Sequence, residues 1–322
     1  METDRMWLEL TEALRERLGL EVAAAVPLTL GWMNRKWRIR TNRGEYVLKQ
    51  YHRGRYTDAR VPELRRALGQ QQRLHEAGLL CPKLLERDGR VLHETASGER
   101  FSVMAFCRGE VPAQGRLSPG QLHHLGRLTA EMHRLLNDGT LGSETRPQSV
   151  LQSVAERLDY LDGVELALRE QGAEDAWLRI VESHRETAAF IDIAELRESP
   201  PGWAHRDLWR DNLLVEGDGV AALLDFDRLH YDHPEHDMAR ALLSGCYADG
   251  IYDADRAAHF AAGYRTVLPL PEEAEERALK LLYWIECQWW IRPNMTREGE
   301  GPPVQFREEM AWLARRFGGG RG

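Results

Sequence analysis

The chain has 322 residues, 43% hydrophobic and 29% charged, with 43 Lys and Arg against 51 Asp and Glu for a formal charge of −8. That is the balance of a globular protein long enough for two cores, and its acidic excess argues against a nonspecific nucleic-acid partner. No run of about 18 apolar residues exists, so no membrane span is expected. Met1-Glu2-Thr3-Asp4-Arg5 does not read as a secretory leader. Cys81, Cys107, Cys246 and Cys287 are scattered without a C-x-x-C, which disfavours a zinc site or disulfide framework and suits a reducing cytosol.

In chain order, residues 5–18 carry Leu8, Leu14 and Leu18 on an amphipathic helical pattern. Three strands follow up to Tyr51, the last two, Trp37-Arg38-Ile39-Arg40 and residues 45–51, joined by the turn Thr41-Asn42-Arg43-Gly44. A polar basic stretch, 52–60, leads into a helix over 62–76 that stops at Gly78. Residues 84–92, turning at Asp88-Gly89, read as a hairpin, and 101–106 as one more strand. Beyond Cys107-Arg108-Gly109 the pattern turns helical. Ser118-Pro119 is a start signal, with Ser as N-cap and Pro at the first position, and Leu122, Leu125, Met132 and Leu136 form its stripe. Further helices are expected near 149–171, 174–195, 235–247, 253–266 and 272–291, and the glycine tail 318–322 reads as disordered.

One run carries chemistry. His205-Arg206-Asp207-Leu208-Trp209-Arg210-Asp211-Asn212, followed by Leu223-Leu224-Asp225-Phe226-Asp227, is H-x-D-x-x-x-x-N and then a second Asp on an apolar strand. Phosphoryl transfer from ATP needs these groups in this order. One carboxylate faces the acceptor hydroxyl, while an amide and a second carboxylate hold Mg²⁺ against the phosphates. Upstream, Tyr46-Val47-Leu48-Lys49 places a lysine on a strand. A strand lysine is ordinarily a solvated edge residue; the order loop, strand, Lys, H-x-D, Asp singles out Lys49. No G-x-x-x-x-G-K-[ST] is present, which disfavours a P-loop enzyme.

These residues together resemble the aminoglycoside phosphotransferase and choline kinase family, from about Leu28 through the helical C-terminal part. Gly31 and Asn34 look like its nucleotide-covering loop, 46–49 like its lysine strand, Met104-Ala105-Phe106-Cys107-Arg108-Gly109 like its lobe connection, and Asp237-Met238-Ala239 like the segment beneath its catalytic loop. Arg206 stands where the family usually has Gly, Arg210-Asp211 replaces a common Pro-Gly, and the covering loop has a single glycine. The resemblance implies a mixed α/β (α+β), protein-kinase-like two-lobed fold. A small antiparallel-sheet N-lobe would span 1–107 and a large helical C-lobe 108–322. It also implies a cytoplasmic phosphotransferase using ATP and Mg²⁺ on a small-molecule acceptor. Asp207 would be the catalytic residue and Asn212 and Asp225 the metal ligands. Lys49, Gly31, Asn34 and Met104 would surround the nucleotide, with Glu63 as the candidate partner of Lys49.

His205 is expected to bond loop backbone, His133 to be a satisfied core histidine, and Arg206 to pair with a local acid. A protein kinase is disfavoured, because only eleven residues lie between Asp225 and Asp237, too few for an activation loop. For the acceptor an aminoglycoside-like antibiotic is the favoured reading: Asp225, Asp227, Asp232, Glu235 and Asp237 against one Arg228 suggest an acidic rim that would attract such polycations. Glu286, in the apolar stripe Leu279, Leu282, Tyr283, Trp290, is a candidate substrate contact, with Asp227, Asp232 and Trp209 as further ones. The run Tyr283, Trp284, Trp289, Trp290 raises an aromatic cage for choline, and Gly263-Tyr264 before Pro269-Leu270 has a homoserine-kinase flavour. An idle relative of the spore-coat kind is the remaining alternative.

Overall fold

The computed structural model describes residues 2–29, 34–144, 146–299 and 301–319. Gly31 and the last three residues of the glycine tail lie outside them.

Helix α1 (Glu2–Leu18) precedes strands β1 (Val22–Leu28), β2 (Arg35–Thr41) and β3 (Gly44–Tyr51). Helix α2 (Val61–Glu76) leads to β4 (His93–Glu94) and β5 (Arg100–Ala105), and the antiparallel sheet runs β1-β2-β3-β5-β4. The expected turn closes β2 on β3. Thr41 pairs with Gly44, whose φ of 126° favours glycine, and the Thr41 hydroxyl donates to the Gly44 carbonyl at 3.0 Å. Leu10, Leu14 and Leu18 of α1 cover one face of the sheet over Ile39, Leu48, Phe101 and Val103. Leu8, expected on that stripe, is exposed; Leu10 takes its place.

Residues 84–92 are not a regular hairpin. Leu84 bridges to Met104 of β5, and Arg87 and Arg90 meet in an isolated bridge around Asp88-Gly89. The apolar residues of this stretch are held by α2 rather than by each other: Leu84, Val91 and Leu92 share a core with Val61, Leu64 and Leu68.

The rest is mainly helical: α3 (Pro119–Leu136), α4 (Val154–Glu170), α5 (Asp175–Ala188), α6 (Ile193–Arg197), α7 (Pro234–Cys246), α8 (Ala254–Arg265), α9 (Ala274–Trp290) and α10 (Pro302–Phe317). Between α6 and α7 lie two small antiparallel pairs, β6 (Gly202–Ala204) with β9 (His230–Asp232), and β7 (Leu213–Glu216) with β8 (Gly219–Leu223). The Ser118 start is a complete capping box with Gln121, and Leu122, Leu125, Met132 and Leu136 are buried as expected. The helix expected over 174–195 is broken at 189–192, where Asp192 caps α6 through the Ala194 N–H. Helices α3 and α8 touch through glycine. A Cβ on Gly126 would stand 2.0 Å from the Phe260 carbonyl oxygen, and one on Gly263 1.9 Å from that of His123. Helix α10 was not expected from the sequence. Its buried Phe306, Met310 and Leu313, after Pro302-Pro303, are the signal that was available.

Candidate active site

The catalytic loop is built on backbone. Asp237, at the start of α7, accepts the N–H of His205 on Oδ2 at 2.7 Å and that of Arg206 on Oδ1 at 2.6 Å, and His133 Nε2 lies 3.2 Å from Oδ2. Burial would raise the Asp237 carboxyl, but the hydrogen bond and charge of His133 outweigh it and its pKa is lowered. His133 is therefore held in the core, between Asp237 and the Tyr264 hydroxyl at 3.0 Å. His205 spends its ring on the loop as well: Nε2 meets the Leu224 carbonyl at 2.9 Å, and Nδ1 accepts the Asp207 N–H at 3.2 Å. Arg206 adopts φ 65° and Asp225 φ 64°, left-handed backbone that non-glycine residues adopt at a cost, and the loop's bonds hold them there.

Asp207 emerges from this frame into a cavity of about 420 Å³, with Asn212 donating to its Oδ2 at 3.0 Å. Asn212, Asp225, Asp227, Asn34 and Trp209 line the same cavity. Lys49 is buried beneath it, 2.6 Å from Asp225 and 2.5 Å from Asp227. Burial lowers the Lys49 pKa, but the two carboxylates outweigh it and hold it well above the ordinary value. Burial pushes Asp225 up, yet Lys49 and Lys36 hold it well below the carboxylate range; burial wins at Asp227, which is raised. Asp227 also accepts from Asn34 and from the Tyr56 hydroxyl, both at 3.2 Å.

Several expectations need correction. Glu63 is not the partner of Lys49. The buried face of α2 carries Val61, Leu64, Ala67 and Leu68, and Glu63 points the other way, 3.6 Å from Arg60. Met104 lies on β5 opposite Val47, two residues along β3 from Lys49. Asp232 is not a substrate contact: it turns inward to Arg206 at 2.5 Å and accepts the Ser149 hydroxyl at 2.8 Å. The acidic rim does not exist as such. Asp225 and Asp227 bind Lys49, Asp232 binds Arg206, Glu235 pairs with Arg277 at 2.5 Å, and Asp237 caps the loop. An acidic run in the sequence became a set of buried, paired carboxylates.

Glu286 does line the cavity, but it is already partnered. Arg240 Nε and His236 Nε2 each lie 2.9 Å from its Oε1, and Trp290 donates to Oε2 at 2.8 Å. Burial raises its pKa, but Arg240 and His236 bring it down to about 2. Arg240 Nη1 reaches Glu309 of α10 at 2.7 Å, where burial outweighs the arginine and raises the carboxyl. Of the aromatic run, Tyr283 and Trp284 are core, while Trp289 and Trp290 reach the cavity beside Trp209 and Phe306.

Sequence reasoning missed Lys36, Tyr56, Arg240 and Phe306. For Lys36 a signal existed: the β2–β3 register places it directly opposite Lys49, and like charges opposite each other on one sheet face require an anion between them. That anion is Asp225, 2.9 Å from Lys36.

Small sheet, helical lobe, Lys49 paired with the Asp225 that follows β8 and an H-x-D loop facing one cavity define a protein-kinase-like phosphotransferase. Residues 24–277 match the phosphotransferase enzyme family (APH), and the chain belongs to it. It is a kinase with a hydroxyl acceptor. It is 30% identical to the homoserine kinase of Methylobacterium radiotolerans over 259 residues, covering 78% of this chain and 74% of that one. It is 30% identical to that of Gluconacetobacter diazotrophicus over 277 residues, covering 84% and 81%. Among solved structures, the microcompartment-associated aminopropanol kinase aligns with a TM-score of 0.63 at 16% identity, covering 96% and 95%. The GDP complex of wild-type aminoglycoside 2'-phosphotransferase-IIIa aligns at 0.62 and 12%, covering 96% and 99%. Both show the fold. Among the described residues no helix is long and apolar enough to cross a membrane.

Proposed function

We propose that the chain transfers the γ-phosphoryl of MgATP to the side-chain hydroxyl of homoserine. The observation that carries this reading is the charge on the cavity wall. Lys36, Arg55, Arg206, Arg228, Arg240 and Arg292 meet Asp207, Asp211, Asp225, Asp227 and Glu286. A wall of both signs suits a small zwitterion with one carboxylate and one ammonium, whereas a polycationic aminoglycoside needs a net negative one. Relatives named homoserine kinase over most of both chains support the same choice. A choline cage is less well supported, because Trp290 already stacks on Phe306 with centroids 4.5 Å apart and Arg240 lies 4.8 Å over that ring.

In this reading Asp207 orients the acceptor hydroxyl in line with the γ-phosphate and takes up its proton, with Asn212 and the His205 ring fixing its direction. Lys49 and Lys36 neutralise phosphate oxygens and hold Asp225 ionised. Asn212 and Asp225 fit Mg²⁺. Both offer hard oxygens to one cavity, and no cluster of three His, Cys, Asp or Glu ligands exists among the described residues, so phosphates and water would complete the shell. The ion would supply charge neutralisation on the β- and γ-oxygens. Asn34 would cover the nucleotide, and Trp209 would face the acceptor. Lys49, Asp207, Asn212 and Asp225 converge around one cavity, which argues against an idle relative.

The test is ADP release from MgATP with L-homoserine, kanamycin and choline. L-Homoserine should turn over, and Asp207→Asn should lower the rate by about 10²- to 10⁴-fold while nucleotide still binds. Turnover of kanamycin or choline with silence on L-homoserine would sink the reading.

A further inference from the structure

We propose that Arg228, assisted by Arg55, is the clamp for the acceptor's carboxylate; this rests on the homoserine reading and assigns the group that selects an amino acid over an amino alcohol.

Most cations on the cavity wall are already committed. Lys36 is held by Asp225 at 2.9 Å, Arg206 by Asp232 at 2.5 Å, Arg240 by Glu309 at 2.7 Å and Arg292 by Glu298 at 2.9 Å. Arg228 has one carboxylate within ion-pair reach among the described residues, Asp207, whose Oδ1 is 3.5 Å from its Nη1, with Glu286 and Asp225 acting from farther off, and its side chain is 42% exposed. That distance is longer than a charged hydrogen bond should be, so most of the guanidinium's five donors are unspent. Arg55 has no carboxylate partner among the described residues, and its guanidinium carbon lies 5.4 Å over the Tyr56 ring.

Both arginines stand on the seam where the main cavity meets an adjoining one of about 430 Å³, so both are open to a ligand. Position then sets the ligand's size. Arg228 is beside the carboxylate that receives the hydroxyl, so an acceptor held by both has its hydroxyl and its anionic group only about 5 Å apart, a few bonds of chain. A planar fork of N–H donors matches a carboxylate with two parallel bonds. Glu286 lines the same cavity, but its oxygens are taken by Arg240, His236 and Trp290, so the carboxylate is the group this wall selects. The acceptor class is therefore a short hydroxy-amino acid presenting its carboxylate to Arg228.

The experiment is steady-state kinetics with L-homoserine on the full chain for wild type, Arg228→Gln, Arg228→Lys and Arg55→Gln, with inhibition by L-2-aminobutyrate and by propylamine measured alongside. The first inhibitor is homoserine without its hydroxyl; the second also lacks the carboxylate. Arg228→Gln should raise KM by about 10- to 100-fold, the loss expected for a charged hydrogen-bonded pair, with a much smaller change in kcat. Arg228→Lys should fall between, Arg55→Gln should raise KM less, and the Ki of L-2-aminobutyrate should move with KM while that of propylamine does not. KM within twofold of wild type in Arg228→Gln would overturn the proposal. So would a fall confined to kcat, which would mean that Arg228 acts on Asp207 alone. A wild type silent on L-homoserine would instead sink the function reading, and this inference with it.

Discussion

Two ion clusters contribute to the cavity wall, and their electrostatics are alike. On the sheet side Lys49 and Lys36 hold Asp225 and Asp227; on the helical side Arg240 and His236 hold Glu286 and Glu309. In each, one carboxyl is lowered and the other raised, because burial penalises both while the cations favour one. They differ in access. The side chains of Asp225 and Lys36 keep 18% and 17% of their surface, whereas Arg240, Glu286 and Glu309 keep 4%, 3% and 1%. A cluster with a window can exchange its partners for phosphate and metal; a sealed one can only hold elements together. Perturbed carboxyls alone do not separate a reaction centre from a structural rivet.

Substitution sharpens that contrast. Lys49→Met should lower turnover with L-homoserine by about 10²- to 10³-fold, the scale of losing one preorganised charge donor. Near wild-type kcat/KM would show that the sheet-side cluster is structural too. Arg240→Met should act on stability, costing about 3–5 kcal/mol because Glu286 and Glu309 are left buried without their cation. In Arg240→Met/Glu286→Leu/Glu309→Leu much of that should return. Urea unfolding of the two variants decides it, and a triple variant no more stable than the single one would refute the account.

The smallest effect is in acid. Glu286 is held at about 2, below its ordinary value of 4.5, so its stabilisation is complete above pH 4.5 and drains as pH falls towards 2. Glu286→Gln should therefore show a shallower loss of urea midpoint between pH 5 and 3 than wild type. Parallel slopes would remove Glu286 from the acid-labile set.

The catalytic loop was legible because its parts are contiguous: His205, Asp207 and Asn212 lie within eight residues, and Asp237 follows close behind. The β2–β3 hairpin was legible for the same reason. Partnerships between distant segments were not. Lys49 lies 176 residues from Asp225, and the nearer helix offers Glu63 in its place. The acids from Asp225 to Asp237 read as a rim because sequence shows charge without direction. Arg240 gave no periodic signal, since α7 is buried nearly all round. The missed helix α10 supplied Glu309 and Phe306, so the sealed cluster was out of reach until that helix was seen.

Helix α10 has a consequence for how selectivity is encoded. The match to the family ends at residue 277, yet Glu286, Trp289, Trp290, Pro302 and Phe306 on the cavity wall all come after it. Asp207, Asn212 and Asp225 lie within the matched portion, while part of the wall around them comes from the last forty or so residues. In the proposed reading acceptor choice is thus divided between Arg228 and Arg55 inside the matched portion and an aromatic wall beyond it, and grafting the C-terminal segment alone would carry only the second part.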